Sequence, residues 1–216
     1  MGTATAAQII NKVAIQLGDQ RNLKWSRAEL LNWLSEAQRT VCAERPRALA
    51  SLAATALVAG ARQTLPSDCV QLLDVYNNIA ANGTTAGGVV RRVSRSALDA
   101  YTPTWHQDTS TDVVTDYIYE EEDKDTYWVY PPSNGATYLQ INYAKAPPNI
   151  TSEAATISID DAYEATLVDY VMYRAHLKAV EGAGGPQVAA MYFQAFTGSV
   201  GTRATIDKQA SDSVGD

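Results

Sequence analysis

The chain has 216 residues, 46% of them hydrophobic and 19% charged, which is the balance of a folded globular protein and excludes wholesale disorder. Its formal net charge of −7 disfavours general binding to nucleic acid unless basic residues are concentrated locally. The two cysteines, Cys42 and Cys69, form no CxxC pair, and no apolar run of about 18 residues occurs, so we expect no disulfide framework, zinc site or membrane-spanning helix.

The first predicted helix begins near the N-terminus. Thr5 is placed as its N-cap, and Gln8 three residues later completes a capping-box pattern. Gly18 is a typical residue to end such a helix. Apolar residues follow the cap at helical spacing: Ile9, Ile10, Val13 and Leu17.

The second predicted helix carries the clearest local signals. Ser26 is predicted to cap it with Glu29 reaching back to the cap amide, and Trp25 and Leu30 are spaced to form a hydrophobic staple. Pro46 prevents this helix from continuing beyond about residue 45. Its apolar stripe is Leu30, Leu34, Ala37 and Val41, with Trp33 beside it.

Residues 49–148 have the pattern of a β-rich segment. Short runs rich in β-branched and aromatic residues are separated by glycine, proline and asparagine turn signals. A short helix capped by Ser94 is predicted near residues 94–100, and the acidic run 120–125 is predicted to form the exposed tip of a hairpin. The predicted strands are 52–58, 63–65, 71–79, 89–93, 113–120, 127–130 and 138–143.

Two further helices are predicted after residue 148. Ser158 and Asp161 form another capping-box pattern, and Pro186, after a glycine-rich break, suits the first turn of a last helix. The predicted core residues of that last helix are Val188, Met191, Tyr192, Ala195 and Phe196. The residues after Gly201 are polar and lack an apolar stripe, which predicts an extended arm.

These elements predict an α+β fold. In it, the N- and C-terminal helix pairs form a four-helix bundle with an inserted β-rich subdomain and an extended C-terminal tail. The predicted boundaries are 1–48 for the N-terminal helix pair, 49–148 for the β-rich insertion, 149–200 for the C-terminal helix pair and 201–216 for the arm.

The sequence contains no motif typical of a catalytic site and predicts no catalytic residue. The chain has two histidines and no GxSxG motif. His106 lies beside Trp105 and near Asp108, where a loop histidine packed on tryptophan is favoured over a functional site. His176 falls in the last turn of a predicted helix, where a cation complements the helix dipole.

Cofactor and metal sites are not predicted either. The acidic run 120–125 lacks the glycine turn and alternating ligands of a calcium loop, and the glycines at 182–185 lie between helices rather than between a strand and a helix. Arg91, Arg92 and Arg95 form a tight basic cluster, which is more typical of a solvated or partner-facing edge than of a phosphate site.

Residues 25–49, WSRAELLNWLSEAQRTVCAERPRAL, resemble the second helix of the head-to-tail adaptor (connector) proteins of tailed bacteriophages. The shared features are an aromatic residue, a cap, a Leu-x-x-Trp-Leu-x-x-Ala-Gln pattern and an Arg-Pro pair after the helix. The resemblance continues in order through residues 61–78, 91–106, 127–132, 161–181 and 189–196. That family is related to the tubular tail proteins of short-tailed phages.

The resemblance implies a structural virion protein rather than an enzyme. It implies a homo-oligomeric ring of twelve copies beneath the portal protein, assembled in the bacterial cytoplasm. The ring would join the capsid to a downstream tail or nozzle protein, and DNA would pass through it without specific binding. The resemblance also implies that the C-terminal segment docks onto the portal, with Arg203, Ile206 and Lys208 as expected contacts.

Contacts between neighbouring copies are expected from charge. Arg91 and Arg92 on one copy would face Glu121 and Glu122 on the next, in a head-to-tail interface of the kind that closes rings. Two alternatives remain open at this point. One is another neck or tail-completion protein; the other is a hydrolase or ligand-binding domain that uses the loop around His106.

Overall fold

The computed structural model describes residues 2–179 and 185–212 and, from residue 203 onward, the backbone alone. The chain divides into two compact units. One, the helical unit, is built from Met1–Leu49 together with Pro147–Asp216. The other, the β unit, is Ala50–Ala146.

The helical unit begins with helices α1 (Ala6–Gln16) and α2 (Arg27–Glu44), whose starts follow from their caps. The predicted Thr5–Gln8 capping box is confirmed, since each residue bonds the backbone of the other. The Ser26 hydroxyl accepts from the amide of Glu29, as predicted. The Glu29 carboxylate does not complete a box but accepts from Lys178 Nζ at 2.6 Å, because a cation of another helix lies within reach.

Helix α4 (Glu164–Lys178) is the centre of the helical unit. It packs against α1, α2 and α5 (Gly185–Asp212), and its own buried side chains include Leu167, Val171 and Met172. The same apolar core takes in Ile9, Val13, Leu30, Leu34, Ala37, Val41, Ile157, Ile159, Phe196 and Val200. Within residues 2–179 and 185–212, no helix is both long and apolar enough to cross a bilayer.

The predicted four-helix bundle with an extended tail is wrong. Within residues 2–179 and 185–212 the fold is α+β, with five α-helices and two four-stranded sheets, and one of the helices lies in the β unit. The predicted extended arm from residue 201 is also wrong, because α5 continues as helix to Asp212. Between residues 202 and 212 the sequence has no glycine or proline to stop it.

The start of the C-terminal helices also differs from the prediction. Ser158 is not a helix cap: its amide donates to the Gln38 side chain at 2.7 Å. Asp160 instead caps a short 3₁₀ turn, Asp161–Tyr163, that leads into α4. The Asp161 carboxylate is held by the backbone amides of Thr3 and Ala4, contacts with a distant part of the chain that no local pattern reveals.

The last helix buries a different stripe from the predicted one. Phe196 is buried as expected, but Met191 is 68% exposed and Ala195 is also exposed. The residues that α5 buries are Ala189, Phe196 and Val200, with Tyr192 packed beside them. Phe196 meets the ring of Tyr170 on α4 edge-on, with centroids 5.1 Å apart.

The β unit contains two sheets. Sheet 1 has the order β1-β8-β3-β4 and is antiparallel throughout, and sheet 2 has the order β2-β7-β6-β5 with one parallel pair, β5 with β6. The strands are β1 (Ala50–Ala56), β2 (Gly60–Thr64), β3 (Cys69–Ile79), β4 (Ala86–Val89), β5 (Arg91–Arg92), β6 (Asp116–Ile118), β7 (Thr126–Ser133) and β8 (Tyr138–Lys145).

Side chains of both sheets share one core. In β8 the residues Leu139, Ile141 and Tyr143 are buried and alternate with half-buried polar residues, as predicted from the period of two. The same cluster contains Leu72, Val75, Tyr117, Tyr127 and Val129. The predicted strand at 89–93 is in fact two strands, β4 and β5, which belong to different sheets.

A short helix, α3 (Arg95–Tyr101), lies between β5 and β6 and is capped by Ser94 as predicted. The hairpin of β6 and β7 is also confirmed, and its turn carries the exposed acidic run 121–125.

Candidate functional site

The basic cluster of the β unit is placed by β5 and the first turn of α3. The guanidinium of Arg91 lies 3.2 Å from the Asp116 carboxylate, and that of Arg92 donates to the backbone carbonyl of Tyr119 at 3.1 Å. Arg91 keeps 74% of its side chain exposed, whereas Asp116 keeps 12%. The two arginines are therefore anchored within the chain and still present their outer surfaces to solvent.

The third arginine connects this cluster to the acidic hairpin. Arg95 lies 3.5 Å from Asp99 and 3.8 Å from Glu120, at the base of the β6–β7 turn. An open groove of about 660 Å³ lies between α3 and β6 and is lined by Arg92, Arg95, Asp99 and Glu120, among others. Opposite charges alternate across this groove, which therefore has no single sign of charge.

The acidic residues predicted for contacts between copies lie in the turn itself. Glu121 and Glu122 are exposed, and the Glu121 carboxylate lies 3.5 Å from the side-chain amide of Gln71. The structure thus brings the start of the acidic run close to Arg95, while Glu122 stands free of the ion pairs described for residues 2–179 and 185–212.

The loop around His106 is an aromatic cluster. The His106 ring stacks on Trp105, with centroids 3.9 Å apart and planes 20° apart, and both rings meet the edge of Trp128. Trp105 is buried and its indole N–H donates to Asp99 at 2.9 Å. The preferred interpretation, a loop histidine packed on tryptophan, is confirmed.

His176, on α4, is not the expected helix-end cation. Its ring stacks on Tyr192 of α5, with centroids 5.5 Å apart and planes 7° apart. Burial, and then the positive charge of Lys24, lower the pKa of His176 below its ordinary 6.5. The ring is therefore mainly neutral at pH 7, where it joins α4 to α5 by packing rather than by charge.

The residues expected to dock on the portal lie in the last turns of α5. Arg203, Ile206 and Lys208 occupy helical backbone positions, and their side chains lie outside the part of the chain that the structure describes. Upstream on the same helix, Met191 and Phe193 are 68% and 43% exposed. Residues two positions apart lie on different sides of a helix, so these two side chains do not form one apolar surface.

Two features of the structure were not foreseen in the sequence. Ser35 and Gln38 are buried polar residues of α2 that hold the segment returning from the β unit, through the amides of Ile150 and Ser158. The edge strands β1 and β4 carry no charged residue, a signal visible in the letters ASLAATA and AGGV. The first feature fixes the returning chain on α2, and the second leaves the sheet 1 edges without charged side chains.

The sequence of the chain matches a model of a known protein family. A model described as SU10 adaptor protein matches residues 4–215. The chain belongs to the SU10 adaptor family. It is therefore a phage adaptor and a structural virion component, consistent with the resemblance seen in its sequence. A search of curated proteins finds no significant match to this adaptor.

Proposed function

We propose that this adaptor forms a ring of twelve copies beneath the portal protein at the head–tail junction. The ring joins the capsid to the downstream tail or nozzle protein and surrounds the channel through which DNA leaves. The observation that carries the proposal is the family match, which spans residues 4–215 and so includes both structural units.

A structural rather than enzymatic role is supported by the surroundings of His106. Its ring is held face to face with Trp105, and the Asp99 carboxylate accepts from the Trp105 indole N–H. A histidine that acts as a general base needs a proton donor aligned with a ring nitrogen and an acid that orients the ring. The contacts described around His106 account for it as a packing residue.

Passage of DNA without specific binding is supported by charge. The chain carries a net charge of −7, and Arg91 and Arg95 of the basic cluster lie beside carboxylates of the same chain. A channel wall with a net negative charge does not retain the phosphates of passing DNA, because retention needs lysine or arginine side chains whose charge is not neutralised.

Contacts with partners are proposed at two places. The C-terminal end of α5, with Arg203, Ile206 and Lys208, would dock on the portal. Between neighbouring copies, Arg91 and Arg92 would face Glu121 and Glu122; the exposure of Arg91 and of the acidic turn supports this pairing.

Reconstitution with the portal ring of the same phage tests the proposed function. The adaptor is mixed with the portal, and the mass of the complex is measured by size-exclusion chromatography with light scattering. We expect a portal complex that carries a full ring of adaptor copies. The double variant Arg203→Glu/Lys208→Glu should lose this binding, whereas Arg21→Glu, at an exposed residue of the α1–α2 loop, should retain it. An adaptor that stays monomeric and separate from the portal would refute the proposal.

A further inference from the structure

The two sheets of the β unit differ in how their edges are protected. In sheet 2, the edge strand β2 carries the exposed Arg62 and a register break after Gly60. The opposite edge, β5, is two residues long and both are arginine. Short strands, charged residues and bulges are the devices by which proteins prevent another strand from pairing with a sheet edge.

Sheet 1 carries no charged residue on either of its edge strands. Its edge strand β1 has seven residues, none of them charged and none proline, and it pairs with β8 in unbroken register from Ala50 to Ala56. The opposite edge, β4, is likewise uncharged, and Val89 at its end is 75% exposed. Sheet 1 thus has one long edge in unbroken register, β1, and one short uncharged edge, β4, whose pairing with β3 shifts register between Asn77 and Ile79.

The open side of β1 presents a row of backbone groups. Along two antiparallel strands, residue pairs that exchange hydrogen bonds alternate with pairs that do not. Leu57 and Thr137, just beyond the end of β1, form a bonded pair, because the Leu57 amide donates to the Thr137 carbonyl at 2.9 Å. The amides and carbonyls that face β8 are therefore those of Ser51, Ala53 and Thr55. Those that face outward belong to Ala50, Leu52, Ala54 and Ala56, whose side chains are all exposed.

We infer that β1 of one copy pairs with β4 of the next copy, so that sheet 1 continues from subunit to subunit around the ring. This inference rests on the proposed ring. Because the four strands alternate in direction, β1 and β4 run in opposite directions, and placing one beside the other continues the antiparallel pattern. Two different edges make a heterologous interface, which closes rings, whereas β1 paired with β1 would stop at a dimer.

The side chains along both edges leave room for this pairing. The outward residues of β1 are alanine except for Leu52, and the middle of β4 is Gly87 and Gly88. Val89 of β4 lies opposite Asn77 of β3, Asn77 lies opposite Gln140 of β8, and Gln140 lies opposite Ala54 of β1. Directly opposite residues point to the same side of a sheet, so Val89 and Ala54 share one face of sheet 1. Leu52, Ala54 and Val89 on that face are uncharged and therefore do not repel a neighbouring strand.

A proline at one outward position tests the backbone contact. Ala54→Pro removes an amide that faces away from β8, so the ladder within the chain remains complete. We expect this variant to keep the wild-type circular dichroism spectrum and to assemble on portal rings with an apparent Kd weaker by about tenfold or more. The matched control Ala54→Val keeps the amide and should assemble normally. A folded Ala54→Pro variant that assembles like wild type would overturn the inference.

Engineered cysteines test the pairing of strands independently of the proline variant. Val89→Cys is combined in turn with Leu52→Cys or Ala54→Cys, on the same face, and with Ser51→Cys or Thr55→Cys, on the opposite face. After oxidation of portal-bound rings, only the same-face pairs should give a ladder of covalent multimers, because a disulfide needs Cβ atoms about 3.5–4.5 Å apart.

The other outcomes separate the inference from the proposed function. Covalent dimers from Leu52→Cys alone would indicate β1–β1 pairing and overturn the inference. Rings that form on the portal but never crosslink at these positions would also overturn it and leave the adaptor function standing. Failure of every variant and of the wild-type chain to assemble on the portal would overturn both.

Discussion

The side-chain oxygen of Gln38, on α2, accepts a hydrogen bond from the backbone amide of Ser158 at 2.7 Å. Gln38 is fully buried, and Ser158 lies in the segment that leads from the β unit back to α4. Ser35, one turn before Gln38, holds the amide of Ile150 in the same way at 2.9 Å. One helix of the N-terminal pair thus fixes the returning chain by two buried polar side chains.

Replacing Gln38 by leucine should therefore destabilise the helical unit. The variant keeps a side chain of similar size but leaves the Ser158 amide without its acceptor, which costs about 1–3 kcal/mol in the free energy of unfolding. Denaturant unfolding measures this loss. Gln16→Leu, on the exposed side of α1, is the control and should change the free energy by less than about 0.5 kcal/mol. Equal stability of the two variants would show that the buried bond contributes nothing.

The packing of α5 on α4 predicts a large difference between two apolar residues of the same helix. Phe196→Ala removes a ring that is 1% exposed and packed on Tyr170, and should cost about 3–5 kcal/mol. Met191→Ala, at a residue 68% exposed, should cost less than about 0.5 kcal/mol. Denaturant titrations of both variants compare them. A similar cost at the two positions would contradict the packing of α5 described above.

Both native thiols should react slowly in the folded chain. Burial raises the pKa of Cys42 and of Cys69 to about 11. Since the thiolate is the reactive form, a thiol with that pKa is ionised to only ~0.1% at pH 8, about a hundredfold less than a thiol at the ordinary value of 9.0. Labelling with a maleimide followed by mass spectrometry should show slow reaction that denaturant accelerates. Rapid double labelling of the folded chain would contradict the burial of these residues.

The stability of the chain should depend on the protonation of His176. Because its pKa is lowered on folding, the unfolded chain binds a proton at a higher pH than the folded chain does. This group therefore costs no stability above its ordinary pKa of 6.5 and destabilises the fold as pH falls below that value. Melting temperatures measured between about pH 7.5 and 5.5 should fall for the wild type and fall less for His176→Phe, which retains an aromatic stack on Tyr192. Identical profiles would show that the ring is not buried.

Charge reversal at the basic cluster tests the proposed contacts between copies. The double variant Arg91→Glu/Arg92→Glu should weaken ring assembly on the portal and reduce the yield of infectious particles, because like charges would then face the acidic turn of the neighbour. Arg62→Glu changes one exposed arginine of β2 and serves as the control. Unchanged assembly of the double variant would dismiss these contacts.

The parts of the fold that depend on local signals were predictable. Thr5, Ser26 and Ser94 each cap the helix that the sequence assigned to them, because a cap is a relationship between residues three positions apart. The alternation in β8 was equally visible, since one face is buried and the other is wet. Capping and alternation require no knowledge of the rest of the molecule.

The parts that depend on distant contacts were not predictable in this way. Ser158 has the pattern of a cap, yet its amide is taken by Gln38, which lies 120 residues away in the chain. The course of α5 beyond Gly201 was missed for another reason. The residues after Gly201 are polar and lack an apolar stripe, which predicted an arm, yet they continue a helix that is already held upstream by the burial of Phe196 and Val200. That burial also offsets the cost of Gly198 and Gly201, about 1 kcal/mol each relative to alanine.

Imaging of the reconstituted complex shows whether this adaptor assembles as a ring on the portal. Purified chain and portal rings are combined, and the complex is examined by electron cryomicroscopy without imposed symmetry. We expect a closed ring of twelve copies coaxial with the portal, with sheet 1 continuous between neighbours. Portal rings without added density, beside a chain that remains monomeric, would contradict this expectation.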